Sequence, residues 1–398
     1  MTRPPSLLVA QIGARRHYAV PCALARAERL AVLHTDTAAI GPLARLATWS
    51  PIRPGPLRRW LGRRPRDVHE SDIVTHGLAM ARTRLTRRSG SETDKTHHWA
   101  AQNRAFGEAV CRSDWRDAGG VYLFNGAALE IAEQARRRGL FVIVDQTIAP
   151  QAWVNRRLRE ERDRFPAWPI SFSESADPLA EREQAEFALA DAVICGSDFV
   201  ARTVLEDHPN VRALVVPPGY DRPAIAAPRP RRRHDPLRVL FVGTVGLRKG
   251  APVLQAAAAA LGSEAILRAV GPVEAGGPMP DVELVGAVAR DALETHYEWA
   301  DVLVLPSIAE GSANVCFEAL ARGLPVVCTE ESGSVVRDGI EGRLISASDP
   351  TALVEVLRSL STDRIAAMSK AALGRAAKFT WENYGQRLIA AIDSVCGD

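Results

Sequence analysis

Two glutamates flank a segment of small residues in the second half of the chain. Glu310 and Glu318 lie on either side of Gly311–Asn314 within the stretch PSIAEGSANVCFEALARGLPVV. Ser312 is placed to cap a helix that starts near Ala313, and the first N–H groups of such a helix stay open to an anion. A phosphate there would have a carboxylate on each side, and carboxylates accept hydrogen bonds from paired sugar hydroxyls. The stretch therefore indicates a ligand that carries both phosphate and hydroxyl groups.

A glycine-containing turn in FVGTVGLRKG (Phe241–Gly250) offers a second candidate site. An apolar strand ends at Gly243, and Arg248 and Lys249 follow in the loop before a helix. Glycines let the backbone approach a phosphate, and cations beside a helix start attract it. The spacing fits neither the dinucleotide fingerprint nor the P-loop. Each stretch alone has a structural alternative: a turn with solvated cations, and glutamates that serve only the helix dipole or the solvent.

Alternating strands and helices must position these residues. The alternation occurs in both halves and predicts two parallel sheets with helices on both faces, which form a ligand cleft between their carboxyl edges. The segment VVPPGYDRPAIAAPRPRRRHDP interrupts the pattern, and its prolines and arginines indicate a linker. Predicted strands include Leu7–Ile12, Val121–Phe124, Leu140–Asp145, Ala192–Cys195 and Leu237–Gly243, and predicted helices include Ala127–Arg138, Leu179–Leu189, Asp198–Leu205, Ala289–Trp299 and Ala313–Arg322.

The composition indicates the class of protein. With 398 residues, of which 46% are hydrophobic and 24% charged, the chain is expected to form two soluble domains. No apolar run reaches the roughly 18 residues that cross a bilayer, and the N-terminal residues lack a signal-peptide pattern. The six cysteines are scattered, which argues against a zinc site or a disulfide framework and predicts a reducing, cytoplasmic location.

Residues 41–90 form a basic stretch in which arginines far outnumber acidic residues. The arginines are interleaved with apolar residues that include Trp49 and Trp60, a pattern typical of contact with an anionic membrane surface. The stretch therefore predicts peripheral attachment at the inner membrane face, with a solvated insertion as the alternative. No nucleic-acid-binding fold is recognised, so no nucleic-acid partner is predicted.

Together, the two candidate sites resemble the motifs of family 4 glycosyltransferases. The pair Glu310-x7-Glu318, with DVLVLPS before it and EALARGLPVV after it, is similar to the paired-glutamate motif of that family. The likeness extends over nearly all of Leu237–Asp398 and includes FVGTVGLRKG, VGAVARDALETHYEWADVLVLPS, EESGSVVRDGIEGRLI, SDPTALVEVL and WENY.

The resemblance implies an α/β protein of the GT-B fold, in which two doubly wound Rossmann-like domains face each other across a cleft. The corresponding division places an acceptor-binding domain at 1–218 and a linker at 219–236. A nucleotide-sugar-binding domain would follow at 237–379. The last helix, at 380–398, would cross back to the first domain.

The site residues of the family carry over by position. The resemblance implies that Lys249 and Arg248 bind the donor diphosphate, that Glu310 faces the donor sugar and that Glu318 binds the ribose hydroxyls. Glu310, Lys249 and Arg248 are the expected catalytic residues. Many family members have an arginine directly after the first glycine of the phosphate loop, where this chain has Thr244, so the second phosphate-binding cation is assigned to Arg248. The other implied donor-binding residues are Gly13, Gly243, Thr244, Gly286, Ala287, Val288, Gly311, Ser312, Ala313, Asn314 and Val315.

The first half resembles the acceptor domain of a subset of the same family. The likeness rests on GARRHYAVP, DQTIAP and CGSDFVARTVL. Family members often carry a histidine on this side of the cleft. The candidates here are Arg15, His17, Asp145 and Gln146, and which of them faces the reacting centre stays open.

The resemblance implies a retaining glycosyltransferase that moves a sugar from a UDP- or GDP-sugar to a glycan, a lipid-linked or a small-molecule acceptor. The sequence has no Asp-x-Asp triplet, so fixed cations are expected to take the place of a metal, with no cofactor besides the donor substrate. In the implied reaction the departing phosphate oxygen takes the acceptor proton. Two alternatives stay open: a GT-B phosphorylase or nucleotide-sugar epimerase, and a non-catalytic, membrane-associated subunit of glycan assembly.

Overall fold

The structure is a computed structural model that describes residues 5–48, 55–80, 92–168, 177–220, 233–274 and 277–396. Part of the predicted linker, residues 221–232, lies outside these ranges. So do residues 49–54 and 81–90 of the predicted basic stretch.

The first sheet contains parallel strands from the first half of the chain. Their order in the sheet is β3-β2-β1-β4-β5-β6-β7. Every residue of the central strands LLVAQ and GVYLF is buried, as expected where helices cover both faces of a parallel sheet. The strands are β1 (Leu7–Gln11), β2 (Leu30–Thr35), β3 (Ile73–Thr75), β4 (Gly120–Phe124), β5 (Phe141–Gln146), β6 (Ala192–Cys195) and β7 (Ala213–Val215).

The second sheet repeats this arrangement in the second half of the chain. Its strands are also parallel, in the order β10-β9-β8-β11-β12-β13. The strands are β8 (Leu237–Val242), β9 (Ala265–Val270), β10 (Glu283–Gly286), β11 (Val302–Leu305), β12 (Val326–Thr329) and β13 (Gly342–Ile345).

Helices connect the strands of both sheets, as parallel pairing requires. In the first half they are α1 (Ala19–Arg26), α2 (Gly41–Thr48), α3 (Gly55–Leu61), α4 (Glu92–Cys111), α5 (Leu129–Arg137), α6 (Gln151–Arg164), α7 (Pro178–Leu189) and α8 (Asp198–Asp207). In the second half they are α9 (Ala251–Leu261), α10 (Leu293–Trp299), α11 (Asn314–Ala321), α12 (Pro350–Ser359), α13 (Thr362–Ala376) and α14 (Trp381–Cys396).

In each sheet the direction of strand order reverses at one point. The reversal lies between β1 and β4 in the first sheet and between β8 and β11 in the second. Such a switch point opens a crevice at the carboxyl ends of the strands, where α/β sheets bind ligands. The loop after β8 contains Arg248 and Lys249, and the loop after β11 contains Glu310. The fold therefore brings both predicted phosphate-binding stretches to the same crevice.

The last helix, α14, packs on the first domain. Tyr384, Leu388 and Ile392 are fully buried in an apolar cluster that includes residues of β1 and α1. The segment that leads into α14 lies beside the segment by which the chain leaves the first domain, because Tyr220 and Thr380 form a parallel bridge. Burial of these side chains ties the C-terminal end of the described chain to the first sheet.

Three predicted helices are shorter in the structure, among them the one predicted at Ala127–Arg138, which is α5 and spans Leu129–Arg137. The helix predicted at Ala289–Trp299 begins at Leu293, after a turn in which the Asp291 carboxylate accepts a hydrogen bond from the Ala292 N–H at 3.1 Å. A short acidic side chain competes in this way with helix formation at its own position. The helix predicted at Ala313–Arg322 is α11, which begins and ends one residue inside that range.

Candidate active site

The three predicted catalytic residues contact one another. The Oε1 atom of Glu310 lies 2.8 Å from Lys249 Nζ and 2.5 Å from Arg248 Nη1. Arg248 Nη1 also donates to the Ala309 carbonyl at 2.9 Å. The side chains of Lys249 and Glu310 are each 13% exposed. Two cations thus share one carboxylate as counter-ion, and an anionic ligand at this position would compete with that carboxylate.

The turn that carries the cations uses its own backbone N–H groups. Residues Leu247–Lys249 form a 3-10 turn, and the N–H groups of Lys249 and Ala251 both donate to the Gly246 carbonyl at 3.2 Å. The Lys249 side chain lies over Gly243, with Cε 3.5 Å from the position that a Cβ there would take. The N–H groups of Lys249 and Ala251 are therefore not available to a phosphate, and the positive charge of the turn lies in the Arg248 and Lys249 side chains.

The start of α11 differs from the prediction at its cap. Ala313 is the N-cap and no side chain caps the helix, so the prediction that Ser312 does so is wrong. The loop turns Ser312 toward the first domain, and its buried Oγ has no hydrogen-bond partner among the described residues. The Ala313 N–H is not open either, because it donates to the Ser332 carbonyl at 3.1 Å. In the described part of the chain no acceptor meets the N–H groups of Asn314 and Val315, which leaves them open to an anion.

Glu318 lies inside α11 and is held by a tyrosine. Its Oε2 accepts a hydrogen bond from the Tyr297 hydroxyl at 2.9 Å, and its Oε1 lies 3.8 Å from Arg290 Nη2. Burial and the Glu318 carboxylate raise the pKa of Tyr297 well above its usual value, so this phenol remains a donor. The Glu318 side chain is 24% exposed. The carboxylate is therefore oriented by one partner and still accessible to a ligand hydroxyl.

The other predicted donor-binding residues of the second domain lie at the ends of β8 and β10, the two strands that flank β9. Gly243 and Thr244 come directly after β8 and are half-buried. Gly286 ends β10, Ala287 is exposed, and Val288 is half-buried and packs against the main core. These residues lie at the carboxyl edge of the sheet, the same edge as the Leu247–Lys249 turn that follows β8.

Asp145 and Gln146 end β5 and are fully buried. The Asp145 carboxylate accepts hydrogen bonds from Arg16 Nε at 3.0 Å and from Arg16 Nη2 at 2.7 Å. The Gln146 amide donates to the Ile148 carbonyl at 2.9 Å. Both side chains are thus engaged inside the first domain.

The other first-domain candidates lie in the loop after β1. Arg15 and His17 are exposed, and the His17 ring meets the Trp381 ring of α14 edge-on, with centroids 5.8 Å apart. Gly13 donates its N–H to an Asp36 carboxylate oxygen at 2.8 Å. That N–H is therefore already used within the first domain.

The loop between Glu310 and α11 packs directly on the first domain. A Cβ at Gly311 would lie 1.7 Å from the Thr147 carbonyl oxygen, so this approach requires glycine. The Ser197 hydroxyl, at the start of α8, donates to the Gly311 carbonyl at 2.5 Å. The candidate site thus lies where the two domains meet, and we call this contact the domain seam.

Three residues of this region were not predicted from the sequence. Arg16 lies between Arg15 and His17, which were predicted as candidates. Only the backbone turn seen in the structure shows that the Arg16 side chain faces inward. Tyr297 carried a usable signal, because a tyrosine buried within an amphipathic helix needs a partner for its hydroxyl. Ser197 carried none, since its contact with Gly311 depends on how the two domains pack.

Comparison with known sequences relates the second domain to glycosyltransferases. Residues 236–363 match the family model of glycosyl transferases group 1. This range contains the two cations and the two glutamates of the candidate site, Arg248, Lys249, Glu310 and Glu318. D-inositol 3-phosphate glycosyltransferases of Mycobacterium bovis (strain BCG / Pasteur 1173P2) and Mycobacterium tuberculosis (strain ATCC 25177 / H37Ra) are each 33% identical over 239 residues, or 52% of this chain and 50% of theirs. The chain spans about half the length of these curated relatives.

Comparison with solved structures covers nearly the whole chain. Sucrose-phosphate synthase from Thermosynechococcus elongatus superposes with a TM-score of 0.60 at 17% identity, over 98% of this chain and 99% of that one. Anabaena HepE in complex with UDP and glucose gives a TM-score of 0.58 at 14% identity, over 98% and 100%. The predicted GT-B fold, with two Rossmann-like domains of parallel sheets, is confirmed.

Proposed function

We propose that the protein is a retaining glycosyltransferase of the family 4 type, which transfers a sugar from a UDP- or GDP-sugar to a glycan, a lipid-linked or a small-molecule acceptor. One observation carries this proposal. Arg248, Lys249 and Glu310 converge at the switch point of the second sheet, in a segment that matches the glycosyl transferases group 1 model. The solved complex of a GT-B neighbour with UDP supports a nucleotide-sugar as the donor.

The geometry supports a division of roles among the donor-binding residues. Lys249 and Arg248 bind the diphosphate, with the open N–H groups of Asn314 and Val315 as further donors. Glu318, oriented by Tyr297, accepts hydrogen bonds from the ribose hydroxyls. When the diphosphate displaces Glu310 from the cations, this carboxylate turns toward the donor sugar.

Catalysis in this proposal is mainly electrostatic. Breaking the bond between the anomeric carbon and the phosphate oxygen leaves negative charge on the departing diphosphate. The Lys249 ammonium and the Arg248 guanidinium stabilise that charge from fixed positions, which lowers the barrier without reorganisation of solvent. The departing phosphate oxygen takes the proton of the acceptor hydroxyl on the same face of the sugar. In this scheme the two cations do the work that a metal ion does in other transferases.

A thermal-shift panel of UDP-, GDP- and ADP-sugars tests the donor assignment. A ligand that binds only the folded state raises the melting temperature, so one of these donors should stabilise the protein. The same donor should have little effect on Lys249→Ala, which removes a phosphate-binding cation. Absence of any shift with the unmodified protein, or an equal shift in the variant, contradicts the proposal. Sugar release measured with and without candidate acceptors separates a transferase from a phosphorylase or an epimerase.

We also propose that the protein is cytoplasmic and contacts the inner membrane face through residues 41–90. Leu46 on α2 is 70% exposed beside Arg45, which supports an apolar and basic contact. No helix in the described part of the chain is long and apolar enough to span a membrane. Co-sedimentation should occur with phosphatidylglycerol vesicles and fade with salt, and equal recovery with phosphatidylcholine vesicles contradicts an electrostatic contact.

A further inference from the structure

Three successive residues after β1 adopt a left-handed backbone conformation. Arg16, His17 and Tyr18 have φ values of 48°, 54° and 62°. Residues with a Cβ rarely take up this conformation, and it persists only where the surrounding structure imposes it. Here the Tyr18 side chain is fully buried in the first domain. The turn directs the Arg16 side chain inward, to the carboxyl edge of the first sheet.

Arg16 is fixed by a buried carboxylate. Its Nε and Nη2 atoms both donate to Asp145, and the Tyr122 hydroxyl donates to the same carboxylate at 2.7 Å. Burial disfavours the charge of Arg16, but the Asp145 carboxylate raises its pKa above the usual value. A guanidinium has five N–H bonds, and this fork uses two of them. The other three meet no acceptor among the described residues, so a rigidly held cation has donors to spare.

The terminal nitrogens of Arg16, which carry the spare donors, lie near the domain seam. Its Nη2 and Nη1 atoms lie 3.6 and 3.8 Å from the position that a Cβ of Gly196 would take. The Cβ of Ser312 lies 3.4 Å from that same position. The Ser312 hydroxyl oxygen is buried and has no partner in the described part of the chain. An unused cationic donor of one domain and an unpaired hydroxyl of the other therefore converge beside the missing side chain of Gly196.

We propose that Arg16 and Ser312 together bind the outer, sugar-bearing phosphate of the nucleoside diphosphate donor. The inference rests on the proposed function and adds to it a cation from the first domain. A guanidinium matches phosphate oxygens through directed pairs of N–H bonds. Ser312 lies two residues before Asn314, the first residue of α11, and negative charge is favoured at that end of the helix. Because Glu318 holds the nucleoside in the second domain, the outer phosphate is the part of the donor that reaches the seam.

This arrangement makes Arg16 a sensor of domain closure. It is anchored to Asp145 in the first domain, so it can contact a phosphate bound in the second domain only while the seam is closed. The leaving diphosphate would then receive its third fixed cation only in the closed enzyme. Closure of the domains and stabilisation of the leaving group become a single event.

Isothermal titration of UDP against UMP, and of GDP against GMP, tests the inference with Arg16→Gln. Loss of a hydrogen bond to a charged group should weaken diphosphate binding by about 10- to 100-fold, while monophosphate binding stays within about twofold of the unmodified protein. A merely structural role would weaken both nucleotides together. Unchanged diphosphate affinity, or an equal loss for both nucleotides, overturns the inference.

Two further variants keep the test decisive if Arg16→Gln, which leaves the buried Asp145 carboxylate without its cation, fails to fold. Ser312→Ala breaks no hydrogen bond within the described chain, and Arg16→Lys keeps the charge but not the fork. Both should weaken diphosphate binding selectively. Arg137→Gln is the matched control, because Arg137 is an exposed first-domain arginine paired with Glu133 of the same helix, and this change should alter neither affinity. If the unmodified protein binds neither nucleotide, the proposed function fails. If it binds the diphosphate and all these variants bind it equally, only this inference fails.

Discussion

Replacing Glu310 by glutamine should tighten the binding of a nucleoside diphosphate. In the structure the Glu310 carboxylate is 2.8 Å from Lys249 Nζ and 2.5 Å from Arg248 Nη1. A diphosphate that binds these cations must first displace the carboxylate. Glutamine keeps the size and the hydrogen-bonding oxygen but removes the charge, so the competition is weakened while the cations stay in place.

The size of the effect follows from the charges. Two unit charges 2.8 Å apart attract by about 1.5 kcal/mol at the dielectric constant of water. A second cation and partial burial increase this attraction, whereas desolvation and side-chain ordering offset part of it. We therefore expect the Glu310 carboxylate to weaken diphosphate binding by a net free energy of about 1.4 kcal/mol. Its removal should tighten binding roughly tenfold. Turnover should fall at the same time, because this carboxylate faces the donor sugar in the proposed reaction.

Isothermal titration with UDP and GDP measures this change directly. Glu264→Gln is a matched control, because Glu264 forms a similar but exposed pair with Arg358 at 2.7 Å. The two substitutions change the net charge of the protein by the same amount. We expect tighter binding in Glu310→Gln only. Equal or weaker binding in Glu310→Gln would show that this carboxylate does not compete with the diphosphate, and the assignment of Lys249 and Arg248 would lose its support.

Three other changes have defined outcomes. Gly311→Ala places a Cβ 1.7 Å from the Thr147 carbonyl oxygen and should force the seam apart, with about 1–3 kcal/mol lost from the free energy of unfolding and loss of transfer activity; an unchanged melting temperature contradicts this contact. Glu318→Gln should weaken UDP or GDP binding about tenfold and leave pyrophosphate binding unchanged, since it removes charged hydrogen bonds to the ribose; equal losses for both ligands would exclude a ribose contact. Burial and the neighbouring His76 lower the pKa of His34 to about 4 from 6.5, so the folded state binds fewer protons than the unfolded chain below pH 6.5 and should lose roughly 2 kcal/mol of stability between pH 7 and pH 5. Denaturant titrations at both values check the last prediction, and a His34→Gln variant with the same pH dependence would refute its cause.

The places of the candidate site residues in the second domain could be predicted from the sequence because these residues follow strand ends. Arg248, Lys249 and Glu310 come after short, mostly apolar strands, and parallel strands bring their carboxyl ends to one edge. The order of the strands decides which loops meet, and an alternation of strands and helices does not reveal that order. The resemblance implied that residues of both loops bind one donor, and the structure shows the two loops side by side.

The first domain was harder to predict because its chemistry depends on tertiary contacts. Asp145 was identified as a polar residue at a strand end, but its burial against Arg16 depends on a left-handed turn that no glycine marks. The helix α4 was missed because its polar sequence lacks an apolar stripe. Ser312 was assigned to a cap by its residue type, whereas packing of its loop on the first domain turns it to the seam. Contacts between domains have no local sequence pattern, so they could be seen only in the structure.

A crystal structure of the protein with a bound nucleoside diphosphate tests the central claim most directly. We expect phosphate oxygens within hydrogen-bond distance of Lys249 Nζ and Arg248 Nη1, with the Glu310 carboxylate moved away from both. A diphosphate bound elsewhere, or one bound while the pairs of Glu310 with both cations stay intact, would contradict the proposed site.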